Sequence, residues 1–278
     1  MTETADRISQ HVIIPPTPEA LTVIASETSK EEPDVGAIVD VLKKDVGIYS
    51  AILQVVNSPF MGLASSVSSI EQGVMLLGVN KVASVVRSIS VRANLQEPQG
   101  LPNFWEAATE VGELAAILAT QLTGEDPAMA YSLGMFHSCG IPVMMQGLKK
   151  YDEVLQSSIR NPAYTLAWLE KARYGFSNHQ VSSRLAEKWF MPKCIVDALF
   201  CMAYPTESLS GKGKIEIDHL TETYLALVVL AKYISPIDRA LWHRPDNISV
   251  SLPALHILEV SEDDFGDIRN DAIELLAQ

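Results

Sequence analysis

The sequence predicts an all-α fold, a helical bundle, and three observations predict it. Apolar residues recur at three- and four-residue spacing along nearly the whole chain. No alternating apolar/polar run of six or more residues stands out as a strand; the single β-like signal, Ile248-Ser249-Val250, is short. Caps and breakers fall at helical intervals. The 278 residues are 47% apolar and 20% charged, which supplies a sizeable core and excludes gross disorder. No repeat of 20–50 residues is visible.

Leu21, Ile24 and Ala25 mark a first buried helix face. Glu31-Glu32-Pro33-Asp34 breaks that helix and starts the next, through Ile38, Val39 and Leu42. Ile48, Ala51, Ile52 and Val55 continue the pattern. Asn57-Ser58-Pro59 reads as a helix end and tight turn, because Asn and Ser bond local backbone readily. Ser69-Ile70-Glu71-Gln72 has capping-box form, with Gln72 reaching back, and Gly78 closes that short helix. Asn80 or Lys81 begins another, through Val82, Val85, Val86 and Ile89. Lys81, Arg87 and Arg92 on it read as a solvated face.

The two prolines and the glycine of 96–102 make a loop. Trp105–Leu122 is a long helix, and Pro127 suits the first turn of its successor. Helices follow over 128–136, 141–147, 149–158, 165–173, 178–189 and 193–203. The stretch 205–213 is polar and Ser/Gly-rich and reads as a mobile connector. A strongly apolar helix covers 218–234, and Ser261 caps a final one.

The chain carries 21 Lys+Arg against 34 Asp+Glu, a net charge of −13. That argues against a direct nucleic-acid surface, which needs clustered cations. Residues 1–205 sum to −6 and residues 206–278 to −7, so the tail is the more acidic part. The polar N-terminus shows no secretory signal, and the most apolar run, Tyr224 to Ile234, is too short for a membrane helix. Cys139, Cys194 and Cys201 form no CxxC pair and read as buried thiols in a reducing cytoplasm. GxGxxG, GxxxxGK[ST] and HExxH motifs are missing. Cys139 near His137 makes a poor nucleophile, since residues two apart on a helix diverge.

Several stretches together resemble a known family. They are Ile14-Pro15-Pro16-Thr17-Pro18, Asp45-Val46-Gly47-Ile48, Asn57-Ser58-Pro59-Phe60-Met61-Gly62-Leu63 and Ser68-Ser69-Ile70 through Gly78. The match continues in Gly134-Met135-Phe136-His137-Ser138-Cys139-Gly140, in Glu170 with Gly175 and His179, and in Trp189-Phe190-Met191-Pro192. In order and spacing they resemble the HDOD domain, the HD-related output domain of bacterial signalling proteins. The resemblance covers about 11–205, and 206–278 reads as a helical C-terminal extension packed on that core.

The resemblance implies a fold related to HD-domain phosphohydrolases, which hold metal with His and Asp on neighbouring helices. Here His137-Ser138 stands where those enzymes have His-Asp, and Met202-Ala203 where relatives often have His-His. A serine hydroxyl is a poor substitute for a bridging carboxylate, and methionine suits soft ions. His137, Ser138, Glu170 and His179 are therefore expected to line a remnant pocket, with no catalytic set, no metal and no cofactor.

Each of these residues also has a plain reading. His137 reads as a core histidine with one hydrogen bond, and His179 as a helix-start bond. Glu170 reads as an exposed glutamate paired with Arg173. The expected function is a non-catalytic regulatory module that binds signalling proteins in trans, with a divergent metal-dependent phosphohydrolase as the alternative. That alternative could recruit His219, His243 or His256. A cyclic dinucleotide ligand is not favoured, because no arginine cluster is present. A homodimer through the 218–234 helix stays open, although its all-round apolarity favours burial.

Overall fold

The computed structural model describes residues 2–161, 164–213, 215–242 and 251–277, and among them there is no strand. Ile248–Val250 and His243 lie outside the described residues. The N-terminal helices are α1 (Thr2–His11), α2 (Glu19–Thr28), α3 (Val35–Lys43), α4 (Val46–Val56), α5 (Ile70–Leu77) and α6 (Val79–Asn94). The middle of the chain forms α7 (Phe104–Leu122), α8 (Pro127–Phe136), α9 (Gly140–Gly147), α10 (Tyr151–Arg160), α11 (Leu166–Tyr174), α12 (Asn178–Lys188) and α13 (Lys193–Cys201). The tail holds α14 (Pro205–Leu209), α15 (His219–Ile234), α16 (Pro236–Leu241), α17 (Leu252–Ile257) and α18 (Glu262–Leu276).

Local chemistry sets these boundaries. Asp34, Asp45, Asp126, Asp218 and Ser261 each cap a helix by accepting from a backbone N–H in its first turn. Ser69 caps α5 as expected, but Gln72 Oε1 accepts from Ser68 N (3.1 Å), one residue earlier than a strict capping box requires. Asn57 staples its turn: Nδ2 donates to the Leu53 and Val67 carbonyls (2.8 and 2.9 Å), and Oδ1 accepts from Val67 N (2.6 Å).

The fold is organised around α7. Its buried Val111, Leu114, Ala115 and Leu118 form the predicted stripe, and it packs against α8, α15, α16 and α18. At the α7–α8 crossing a Cβ on Gly134 would stand 2.4 Å from Gly112 Cα, so the two backbones touch and only glycine fits. Helix α8 in turn meets α6, α13 and α15, while α12 packs on α9 and α13. Helix α15 is covered by α7, α8, α13 and α17 and is buried through most of its length, including Lys232. It is largely an internal element, as its all-round apolarity implies.

Three expectations are corrected. Arg87 is 9% exposed and not solvated; its Nε donates to the Trp189 carbonyl (3.3 Å) at the end of α12. Burial lowers its pKa to about 10. The 205–213 connector contains α14, whose Ser208 and Leu209 are buried. Residues 2–11, given no helix by periodicity, form α1 with Ile8 buried.

The tail is tied to α7 by polar bonds as well as apolar packing. Glu110 accepts from the Ser235 hydroxyl and from Ile237 N (3.1 Å) at the first turn of α16. Glu110→Ala is expected to cost about 2 kcal/mol, because it strips the acceptor from two part-buried donors. A urea midpoint lowered at unchanged slope would show it; an unmoved midpoint would deny the tie.

Candidate functional site

The motif residues converge at the junction of α8, α9, α11 and α12. His137 ends α8, Ser138 and Cys139 make the turn, and Gly140 starts α9. The first turn of α12 is laid directly on this turn. A Cβ at Gly140 would fall 2.0 Å from the Asn178 carbonyl oxygen, and Gly140 N donates to Ser182 Oγ (2.8 Å). Gln180 Oε1 accepts from Ser177 N (2.9 Å), reaching back over the start of α12.

His137 is 2% exposed. Its Nδ1 donates to the Gly134 carbonyl (2.5 Å), the single bond expected of a core histidine. Its Nε2 lies 3.6 Å from Asp238 Oδ1 on α16 and has no hydrogen-bond partner among the described residues. Burial, and next the Lys232 ammonium, push the His137 pKa down, while Asp238 pulls the other way. The ring is therefore held neutral beside a buried carboxylate.

His179 bonds across to the neighbouring turn. Its Nδ1 donates to the His137 carbonyl (2.9 Å), so the two histidines are joined through backbone. Ser138 is buried beside them.

Glu170 departs furthest from its plain reading. It is fully buried and does not pair with Arg173, which reaches Glu153 instead (3.7 Å). Its Oε1 accepts from the Tyr151 hydroxyl. Its Oε2 accepts from Asn178 N (2.7 Å) and Asn178 Nδ2 (2.9 Å). It thus ties α10, α11 and α12 together and supplies an acceptor to orphan donors at a helix start. Burial raises its pKa to about 7 against the pull of these bonds.

Cys139 is fully buried and its thiol is pushed up to about 12, the reverse of an activated nucleophile. Met202 and Ala203 are buried at the end of α13. In the tail, His219 is exposed beside Glu222 (3.9 Å) and His256 is exposed too, so neither folds back on His137.

The donor set does not fit a metal ion. Both oxygens of Glu170 accept bonds from Tyr151 and Asn178, so its carboxylate is engaged by the protein itself. Among the described residues, no three His, Cys, Asp or Glu side chains are grouped to share an ion. What the arrangement does is lock five helices, α8 to α12, through buried polar bonds. The sequence reading missed Asp238 and Asn178. Asp238 is 101 positions from His137, and its only local signal is the Ser235-Pro236 helix start, whose Ser235 Oγ accepts from Asp238 N (3.0 Å).

Comparison with known proteins supports the helical fold. The HDOD domain family matches residues 14–205. A curated relative, the uncharacterized protein YuxH of Bacillus subtilis, is 25% identical over 157 residues. That alignment takes in 53% of this chain and 38% of YuxH, so this chain spans well under half of that relative. A crystal structure of a candidate phosphohydrolase from Shewanella amazonensis superposes with a TM-score of 0.70 at 19% identity, covering 98% of this chain and 93% of the other. A candidate signal transduction protein from Marinobacter aquaeolei gives 0.66 at 21%, covering 95% and 57%. At these identities the likeness is one of fold.

Proposed function

The chain belongs to the HDOD domain family, and from that premise we propose that it is a non-catalytic signalling module that acts by binding other signalling proteins in trans. One observation carries the reading. The polar groups where an HD enzyme would hold its metal are here bonded to neighbouring helices, with Glu170 wholly internal. A group that must activate water or bind phosphate needs reach to a substrate, and catalytic geometry needs a cleft. The HDOD membership supports a signalling role, and the −13 charge supports protein contact over polyanion binding. No described helix is long and apolar enough to cross a membrane.

The test is metal content by mass spectrometry of the purified protein, with a phosphodiester hydrolysis assay in added Mn²⁺ and Mg²⁺. The expected result is substoichiometric metal and no turnover above buffer. Stoichiometric metal with turnover that disappears in His137→Ala and His179→Ala would overturn the proposal and establish a divergent phosphohydrolase. Titration calorimetry with cyclic di-GMP is expected to show no heat, since Arg87 is buried against the Trp189 carbonyl.

A further inference from the structure

The acidity of this chain is not uniform. Residues 149–174 hold Lys149, Lys150, Arg160, Lys171 and Arg173, five of its 21 cations, against Asp152, Glu153 and Glu170. Glu170 is fully buried, so the surface of α10 and α11 presents five positive charges and two negative ones on a molecule of net −13. Glu153 is itself bracketed by Lys150 (3.1 Å) and Arg173 (3.7 Å).

The same surface exposes aromatic area. Trp168 and Tyr164 are 48% and 45% exposed and stack on each other with ring centroids 4.6 Å apart. Trp168 shares a helix stripe with Ala172, four residues on, and neighbours Lys171, three residues on. Lys171 extends the strip by placing its ammonium 4.1 Å over the Tyr204 ring. A groove opens between α10 and α11 and reaches Ala172, on the helix stripe that Trp168 shares. Val154, Leu169 and Ala172 give it an apolar floor, and Glu153 and Arg173 stand at its edge. Ser157, also in the lining, is small, which lets another backbone come close.

An apolar groove between two helices whose surface also carries half-exposed aromatics and five cations is the reciprocal of an amphipathic helix with an acidic polar face. Half-exposed tryptophan and tyrosine beside arginine are the residue types that dominate interface energies. We propose that the α10–α11 face docks an acidic amphipathic helix of a partner protein, with Trp168 as its anchor. This rests on the reading that the chain works by protein contact, and it names the surface and the chemistry of the partner. A nucleic acid fits less well. A long polyanion would meet the −13 molecule beyond the patch, whereas a single helix keeps its carboxylates within about one Debye length, ~8 Å, of the cations.

The test uses the full chain and a fluorescein-labelled synthetic helix with leucines on one face and glutamates on the other. Fluorescence anisotropy is expected to rise saturably and to fall off with salt. Trp168→Ala, and separately the pair Arg160→Glu with Arg173→Glu, are expected to weaken binding by about tenfold or more. These are exposed positions, so the variants should keep the parental circular dichroism and melting point, which checks that folding is not the cause. No saturable binding, equal binding of a lysine-for-glutamate version of the helix, or variants that bind like the parent would each overturn the proposal. So would a single-stranded oligonucleotide that displaces the helix. Metal-dependent hydrolysis is read in a separate assay, so a catalytic protein that binds the helix, and a non-catalytic one that does not, are told apart.

Discussion

Gly140→Ala is expected to lower stability by about 3 kcal/mol or more, the largest loss for the addition of a single methyl group at this junction. The added Cβ would stand 2.0 Å from the Asn178 carbonyl oxygen and 2.8 Å from its carbonyl carbon. The clash is with backbone, so no side chain can rotate away. Helix α12 would have to move off α9, and that motion breaks three things together. It pulls Ser182 Oγ from Gly140 N, the His137 carbonyl from His179 Nδ1, and Asn178 from Glu170. Urea unfolding monitored by circular dichroism gives the measurement. Gly266→Ala is the internal control. Its Cβ would meet nothing within 4 Å in the middle of α18, so it should be neutral or stabilising by up to about 1 kcal/mol. If the two alanines cost the same, the junction is looser than described and the locking role assigned to α12 is wrong.

Glu170→Gln is expected to stabilise the protein at pH 8 and to be nearly neutral near pH 4.5. The sign follows from proton linkage. Burial raises the folded-state pKa to about 7 from an unfolded value of 4.5, so between these limits the folded state binds more protons. Stability therefore falls as pH rises from 4.5 through 7, by about 3 kcal/mol in all. Glutamine keeps the shape, accepts from Asn178 and donates to the Tyr151 oxygen, and it has no charge to desolvate. His137 acts in the opposite sense. Its pKa is lowered on folding, so its contribution is complete above 6.5 and is lost as the pH falls below it. Just below pH 6.5 the two effects oppose, so the parent's stability varies less with pH there than that of Glu170→Gln, which keeps only the acid-side loss. Denaturation midpoints for both proteins at pH 5, 6, 7 and 8 decide it. Parallel curves would mean that Glu170 carries no buried charge.

The contrast between these two positions shows what a sequence can disclose. The glycine-containing turn 134–140 was legible because its motif has a fixed order, and the helices were legible because burial on one side writes a three- and four-residue period. Caps at Ser69 and Ser261 were visible for the same local reason. Helix α1 was missed because it is mostly polar and Ile8 is its one strongly buried apolar residue. Arg87 reads as a surface group, and Glu170 stands between an exposed reading and a pocket one, because ionic side chains seldom lie in a core. Their partners, the Trp189 carbonyl and Asn178, belong to other helices, and periodicity carries no information about that. Asp238 was out of reach for a similar reason: its nearness to His137 is created by the packing of α16 on α7.

The burial of α15 bears on how the chain is made. Helix α7 needs α15 to cover one of its apolar sides, yet 97 positions separate Leu122 from His219. At about 5–20 residues per second of synthesis, that side of α7 is in water for roughly 5 to 20 s before its cover leaves the ribosome. A nascent chain in that interval presents Val and Leu side chains that a finished molecule never shows. The tail is thus a late-arriving stopper, and the interval before it arrives is when this protein is most open to capture by chaperones or by its own kind.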